Sequence, residues 1–255
     1  MNSTSLLREA IQLMISEALG SLKGPIMKVA QILAAIPDAL PNEYAKELSK
    51  LQAEAPSMGW LFVKRRMSFE LGTKWKNNFK YFTKNAVKAA SLGQVHKAKD
   101  SNNKLLACKL QYPDMNSAIS ADLKQLKLVM NIYKKLDKAI QPEEIYEELS
   151  ERLTEELDYK REVKHINLYR DMLLPVKSIN IPEPVQKLST GKLLTMTWLE
   201  GKPLNNYYNS NIKTKNMISA NLFQAWYLPF YKYGIIHGDP HPGNYTIAKN
   251  GNVLN

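Results

Sequence analysis

The stretch from Ile235 to Ile247, IIHGDPHPGNYTI, constrains this chain more than any other. Its eight central residues, His237 to Asn244, hold two histidines, an aspartate, an asparagine, two glycines and two prolines. Proline fixes φ and glycine permits tight backbone paths, so the segment reads as a stiff, sharply bent loop. The apolar residues on either side read as anchors in a core. A loop held in this way turns Asp239 and Asn244 towards one cleft. Any fold for the chain has to supply that cleft.

Phosphoryl transfer needs such a pair. A carboxylate must sit near the attacking oxygen, and an oxygen ligand must hold the metal that bridges the phosphates. The protein-kinase catalytic loop supplies them as an aspartate followed five positions later by an asparagine, the spacing of Asp239 and Asn244. On this reading Asp239 positions the nucleophile, Asn244 binds Mg²⁺ and His237 braces the loop. Two alternatives stay open. The loop can be structural with incidental polar residues. His237, Asp239 and His241 can also be zinc ligands, although no cysteine or further histidine completes a tetrahedral set.

A kinase-type site also needs a lysine on a central strand, held by a helix glutamate. Lys109 lies in the apolar run LLACKLQYP. A lysine in a buried strand is costly unless paired. Glu162, in EELDYKREVKHI, offers the carboxylate. An edge-strand lysine facing water and a solvated charged helix are the plainer alternatives. Upstream, a phosphate-covering loop is expected in KAASLGQVHKAK. There Ala89, Ala90 and Ser91 stand where kinases carry glycines, and Gly93 is the glycine that remains. Small residues still let the backbone approach a phosphate closely.

Around these segments the chain reads as α+β. Residues 4–72 are expected to be helical: a first helix near the N-terminus, a second from Pro41, and a third capped by Ser57 and ended by Gly72. Phe79–Thr83, Gln94–Lys99 and Leu105–Gln111 read as strands, with Asp100–Asn103 as a turn. A helical region follows from about Asp114 to Tyr169, broken at Gln141-Pro142. Lys192–Thr197 reads as a strand, WLEGKPL as a hinge and 213–233 as a helix. Tyr245–Ala248 and Asn252–Leu254 are expected to pair across Lys249-Asn250-Gly251.

The net charge of +11 comes mostly from 29 lysines against 6 arginines. It reflects either compositional bias or attraction to a polyanion, whether nucleotide phosphate or an anionic membrane surface. Nucleic acid is not expected as a partner, since no zinc-finger spacing or helix-turn-helix pattern occurs. The single cysteine, Cys108, excludes an internal disulfide and reads as a buried, inert thiol of a reducing, cytoplasmic compartment. The N-terminus has no basic region of the signal-peptide kind, and no run of about 18 apolar residues predicts a spanning helix. From Lys64 to Lys88, eight basic residues face one acid, Glu70. Trp60, Phe62, Phe69, Trp75, Phe79, Tyr81 and Phe82 lie in and just before that stretch, which suits either a membrane–water interface or ordinary core aromatics.

Taken together, the motifs resemble the UbiB/AarF-type atypical kinase family, linked to ubiquinone and other prenyl-lipid metabolism, over residues 22–255. KAASLGQVH resembles its alanine-rich loop AAASxGQVH, with Lys88 for the first alanine. CKLQYP resembles its VKVQYP strand, and MTWLEG its hinge. EELDYKRE resembles its E-x-D helix, with Glu156 and Asp158 as the two acids and Glu162 as the lysine's partner. HGDPHPGN resembles HADPHPGN, with Gly238 for alanine. GPIMKVAQIL resembles its K-x-G-Q segment, with Lys28 and Gln31 at the ends and Ala30 for glycine.

The resemblance implies a protein-kinase-like two-lobed fold with an N-terminal helical extension. The expected division is an extension over 1–78, an N-lobe with a long helical insertion over 79–200, and the start of a C-lobe over 201–255. It implies ATP and Mg²⁺ as cofactors. Ala89, Ala90, Ser91, Gly93 and Lys109 would bind the nucleotide. In the family the K-x-G-Q segment covers the place of a protein substrate, so the acceptor is expected to be a prenyl lipid, a quinone precursor or another small molecule, or water in an ATPase. Ubiquinone-biosynthesis enzymes and a peripheral contact with the inner face of a bacterial membrane are the implied partners. The D-F-G aspartate of kinases comes roughly a dozen residues after the loop asparagine, and the chain ends at Asn255, eleven after Asn244. The C-lobe is therefore expected to be incomplete and the isolated chain weak in phosphoryl transfer. A non-catalytic pseudokinase scaffold is the alternative, followed by an aminoglycoside- or choline-type phosphotransferase with its similar HGDxHxGN loop.

Overall fold

A computed structural model describes residues 58–90, 92–134, 142–238, 242–248 and 253–255. The helices expected before residue 57 lie outside these, as do Lys28, Gln31, Ser91, Asp239 and His241.

The helix expected to end at Gly72 runs over Trp60–Leu71 (α1). It buries Val63 and Met67, four residues apart on one face. Together with Trp75 and Phe79 they pack on Ala98, Leu106, Cys108, Leu110 and Leu193. The last five belong to an antiparallel sheet of β1 (Tyr81–Phe82), β2 (Lys88–Ala90), β3 (Gly93–Lys99), β4 (Leu105–Gln111) and β5 (Leu193–Thr197). β4 lies between β3 and β5, and β3 carries β1 and β2 on its other edge. The division expected at residues 78 and 79 thus runs through one packed cluster.

The turn between β3 and β4 forms as expected. The Asp100 carboxylate accepts the backbone N–H groups of Asn102 and Lys104, both at 2.9 Å. Because β4 is central, it is covered on both faces. Leu106, Cys108 and Leu110 enter the cluster with α1. Alternation then puts Ala107, Lys109 and Gln111 on the opposite face.

The aromatic stretch divides unevenly. Trp75 and Phe79 are buried, and Trp60, Phe62 and Phe82 pack against them. Only Phe69 (82% exposed) and Tyr81 (55%) face outwards. Five of the seven rings expected as a possible membrane belt are therefore core. Trp60, Trp75, Phe79 and Phe82 meet mostly edge to face, as in the Trp75–Phe82 contact at 5.3 Å.

Three helices follow: α2 (Met115–Lys134), α3 (Pro142–Glu156) and α4 (Tyr159–Leu173). Pro142 opens α3, where the expected break lies. A second break, at Leu157-Asp158, was not expected from the pattern. Asp158 makes it, because its side chain accepts the N–H groups of Lys160 and Arg161 and so caps α4.

A second cluster gathers Leu173, Ile179, Ile218, Ala225, Tyr245, Ile247 and Leu254. It is built around α5 (Ile212–Tyr233), which is capped by Asn211 and stops at Gly234. A short pair, β6 (Lys202–Pro203) with β7 (Thr246–Ile247), ties the hinge to the segment after the HGDPHPGN loop. The expected C-terminal pairing is present. Thr246 and Asn255 exchange backbone bonds of 2.9 and 2.7 Å, and Ile247 bridges Leu254. The turn residues between them, 249–252, lie outside the described residues. Two clusters, with the WLEGKPL segment between them in the chain, give the α+β, two-lobed arrangement.

Candidate active site

Lys109 lies on β4, opposite Val95 on one side and Leu194 on the other. Its Nζ lies 3.1 Å from both carboxylate oxygens of Glu162. The two side chains are 20% and 32% exposed, so the pair is mostly withdrawn from water. The ammonium also sits over the ring of Tyr159, 4.9 Å from its centroid. Burial alone would lower the lysine's pKa. The Glu162 carboxylate, aided by Glu156, outweighs it and holds the group above the ordinary lysine range. Lys109 is therefore charged at any physiological pH. It has no further hydrogen-bond acceptor among the described residues.

The sequence delivers Glu162 to this point by a relay of backbone contacts. Gln111, two residues after Lys109 on the same face of β4, is buried and donates to the Leu157 carbonyl at 3.0 Å. That fixes the turn where Asp158 caps α4. The N–H of Glu162 bonds back to the Asp158 carbonyl at 3.0 Å, so Glu162 sits in the first helical turn. The two acids of the E-x-D pattern thus do different things. Glu156, at the end of α3, adds negative potential at Lys109, while the Asp158 side chain caps a helix.

Tyr159 is fully buried beneath this pair, and its hydroxyl has no hydrogen-bond partner among the described residues. Burial pushes its pKa up to about 12, so it is neutral. Gly93 packs against it: a Cβ at position 93 would stand 3.2 Å from the Tyr159 hydroxyl and 2.3 Å from the Leu110 carbonyl oxygen. Glycine is required there by the closeness of β3 to β4, whatever its part in covering a phosphate. Ala89 and Ala90 pair through their backbones with Gln94 and Gly93, so the alanine-rich segment is a strand, β2, rather than a loop.

In the HGDPHPGN loop, Pro242–Asn244 form one short turn, and Asn244 is exposed. Lys88 on β2 donates from Nζ to the Gly243 carbonyl at 3.4 Å, bringing the alanine-rich strand to the HGDPHPGN loop. Asp239 and His241 lie outside the described residues. His237 packs as an aromatic brace, edge-on to Tyr169 at 5.6 Å and 6.2 Å from Tyr245. The Tyr245 hydroxyl accepts from the Trp226 indole at 2.7 Å. A Cβ at Gly238 would meet nothing within 4 Å, so glycine and alanine are sterically equivalent there.

The structure therefore brings Lys109, Glu162, Glu156 and Gly93 together and sets the β2 strand near Asn244. Gln111 and Tyr159 belong to the site but were not anticipated. A signal for each existed: Gln111 follows Lys109 at i+2 on a strand, and Tyr159 follows a capping aspartate into the turn carrying Glu162. The donor set suits a magnesium triphosphate, with a charged ammonium in a mostly dry site and an amide oxygen able to meet a hard cation.

Residues 50–254 match the family model described as the ABC1 atypical kinase-like domain. The AarF domain-containing protein kinase 1 of Xenopus laevis is 30% identical over 89% of this chain and 44% of its own length. The mitochondrial atypical kinase COQ8 of Saccharomyces cerevisiae is 27% identical over 91% and 46%. The chain thus spans less than half the length of these relatives. The structure of Rv3197 from Mycobacterium tuberculosis, solved as a complex with erythromycin, matches 99% of this chain and 64% of its own at 30% identity, with a TM-score of 0.68. Over most of its length, then, the chain belongs to the ABC1 atypical kinase-like (UbiB/AarF) family and has its protein-kinase-like fold.

Proposed function

We propose that this chain carries the nucleotide site of an atypical kinase or ATPase that supports ubiquinone or related prenyl-lipid biosynthesis. Lys109, oriented by Glu162, holds the phosphates of ATP. Ala89 and Ala90 of β2, with Ser91 and Gly93, would cover them. Asn244 supplies the oxygen ligand for Mg²⁺, and Asp239 positions the attacking oxygen. Bound Mg²⁺ would neutralise charge developing on the phosphate oxygens. Glu156 and Asp158 keep Lys109 charged and Glu162 in place. The N-terminal extension, including Lys28 and Gln31, belongs to the same organisation, in which Trp60–Phe79 pack as part of the N-lobe and the C-lobe begins near residue 200.

One observation carries this reading: the Lys109–Glu162 pair at 3.1 Å, with Val95 between Lys109 and Lys88 in the sheet register and Lys88 reaching Gly243 of the HGDPHPGN loop. A paired lysine in that position has no packing purpose that an apolar side chain would not serve better. Similarity to COQ8 supports the biosynthetic context. The erythromycin complex of Rv3197 fits a small molecule, rather than a protein, as the ligand class. A peripheral membrane contact would rest on the basic residues of 64–88 with Phe69 and Tyr81. No described helix is long and apolar enough to cross a membrane.

The test is Mg²⁺-dependent binding of a fluorescent ATP analogue. Asn244→Ala should abolish the Mg²⁺ dependence and leave weaker, metal-independent binding. Unchanged Mg²⁺ dependence in that variant would remove Asn244 from the site.

A further inference from the structure

We infer that Gln94 is a positioning residue whose side-chain amide holds the backbone of Met58, and that His96 sets which way this amide faces, so that a proton on His96 releases Met58. Gln94 and His96 are both fully buried and lie two apart on one face of β3. The Gln94 Oε1 accepts the Met58 N–H at 2.6 Å, and its Nε2 donates to the Met58 carbonyl at 3.2 Å. The side chain thus pairs with Met58 as the backbone of a neighbouring strand would. Met58 lies two residues before α1, Trp60–Leu71, which packs on the sheet.

The donors and acceptors leave His96 one protonation state. Gln94 Nε2 lies 2.8 Å from His96 Nε2 and is a donor, so that ring nitrogen must present its lone pair. His96 Nδ1 lies 2.9 Å from the Thr83 carbonyl, so it must carry the hydrogen. The ring stacks on Phe82 at 5.2 Å and cannot swing away. A second proton, on Nε2, would set donor against donor. The Gln94 amide would relieve this by turning over to offer Oε1 to the ring. Its NH₂ would then face the Met58 N–H, and both bonds to Met58 would break.

The groups facing His96 leave this behaviour to the imidazole. From β4 the facing titratable group is the Cys108 thiol, which burial pushes up to about 12 and keeps neutral. Phe82 and Thr83 from the β1 side, and Met58 before α1, do not titrate. Burial lowers the His96 pKa, so release comes on the acid side of the ordinary histidine range. Each position of the GQVH segment with a polar or missing side chain then has a structural reason: Gly93 for the close strands, Gln94 for the clasp, His96 for its orientation.

Backbone amide exchange on the full chain tests this. At about pH 7.5 the Met58 amide should be protected. On going to about pH 5 its protection factor should fall by roughly tenfold or more, while those of Leu106 and Leu110 hold. His96→Phe, which fills the ring's space and cannot titrate, should remove the pH dependence. Gln94→Leu should leave Met58 unprotected at both values. Wild-type Met58 protection that does not change with pH, or an equal fall in His96→Phe, overturns the inference. Should the variants fail to fold, the wild-type ring nitrogens decide. At about pH 7.5 their shifts must show hydrogen on Nδ1 alone, and a hydrogen on Nε2 refutes the clasp.

Discussion

Breaking the Lys109–Glu162 pair should weaken the fold by a bounded amount. Removing one partner of a fully buried pair costs about 3–5 kcal/mol, whereas exposed pairs contribute about 0.2–1 kcal/mol. Lys109 and Glu162, at 20% and 32% exposed, fall between these limits. The two 3.1 Å contacts and the Tyr159 ring beneath the ammonium favour the pair, while partial solvation weakens it. We expect Glu162→Gln to cost about 2 kcal/mol, because it leaves the ammonium without its carboxylate. Lys109→Met, which replaces the ammonium with apolar volume, should cost about 1 kcal/mol or less. The double variant should recover part of the loss, with a coupling energy of about 1–2 kcal/mol in a double-mutant cycle read by urea denaturation. A coupling energy within error of zero would show that the two groups do not meet in solution, and the cleft as drawn would be wrong.

Other outcomes follow from the same geometry. Gly93→Ala drives a Cβ against the Leu110 carbonyl oxygen and should cost about 3 kcal/mol or more, while Gly238→Ala, with open space around it, should change stability by less than about 0.5 kcal/mol; thermal melts of the two compare them directly. Asp158→Ala removes the cap of α4 and should cost about 0.5–2 kcal/mol, and it should also weaken nucleotide binding, because Glu162 sits one turn further on. The Cys108 thiol, pushed up to about 12 by burial, should resist a thiol reagent at about pH 8 until the protein is unfolded. The unfolded thiol ionises near 8.5 and the folded one does not, so the contribution of Cys108 to stability is complete below about pH 8.5 and falls as pH rises beyond it. Comparing wild type with Cys108→Ala across that range isolates this effect.

Much of the site was legible because its chemistry is expensive to build by accident. A lysine amid LLACKLQ declares a partner, and Glu162 is that partner. The strands β3 and β4 and the Asp100 turn were legible from alternation and turn residues. Other features depended on competition that the pattern does not record. β2 was read as a loop because KAAS stands where kinases carry a glycine-rich phosphate loop, yet its backbone groups pair with β3. The break before α4 was hidden in ELDYKRE, which has no glycine or proline, since capping by Asp158 ends one helix and begins the next. β6 contains Pro203 and pairs only through a strand more than forty residues later. The aromatics of 60–82 suited an interface and a core equally, because hydrophobicity alone does not say which rings find partners, and α1 with the sheet supplied them. Gln94 and His96 showed nothing until Met58 was placed beside them.

The central claim is that Lys109 and the HGDPHPGN loop face one phosphate-binding cleft. Calorimetric titration of a non-hydrolysable ATP analogue, with Mg²⁺, into wild type and Lys109→Met tests it most directly. The account predicts binding to wild type and a loss of at least about tenfold, or about 1.4 kcal/mol, in the variant. Equal affinity in two equally folded proteins would contradict it.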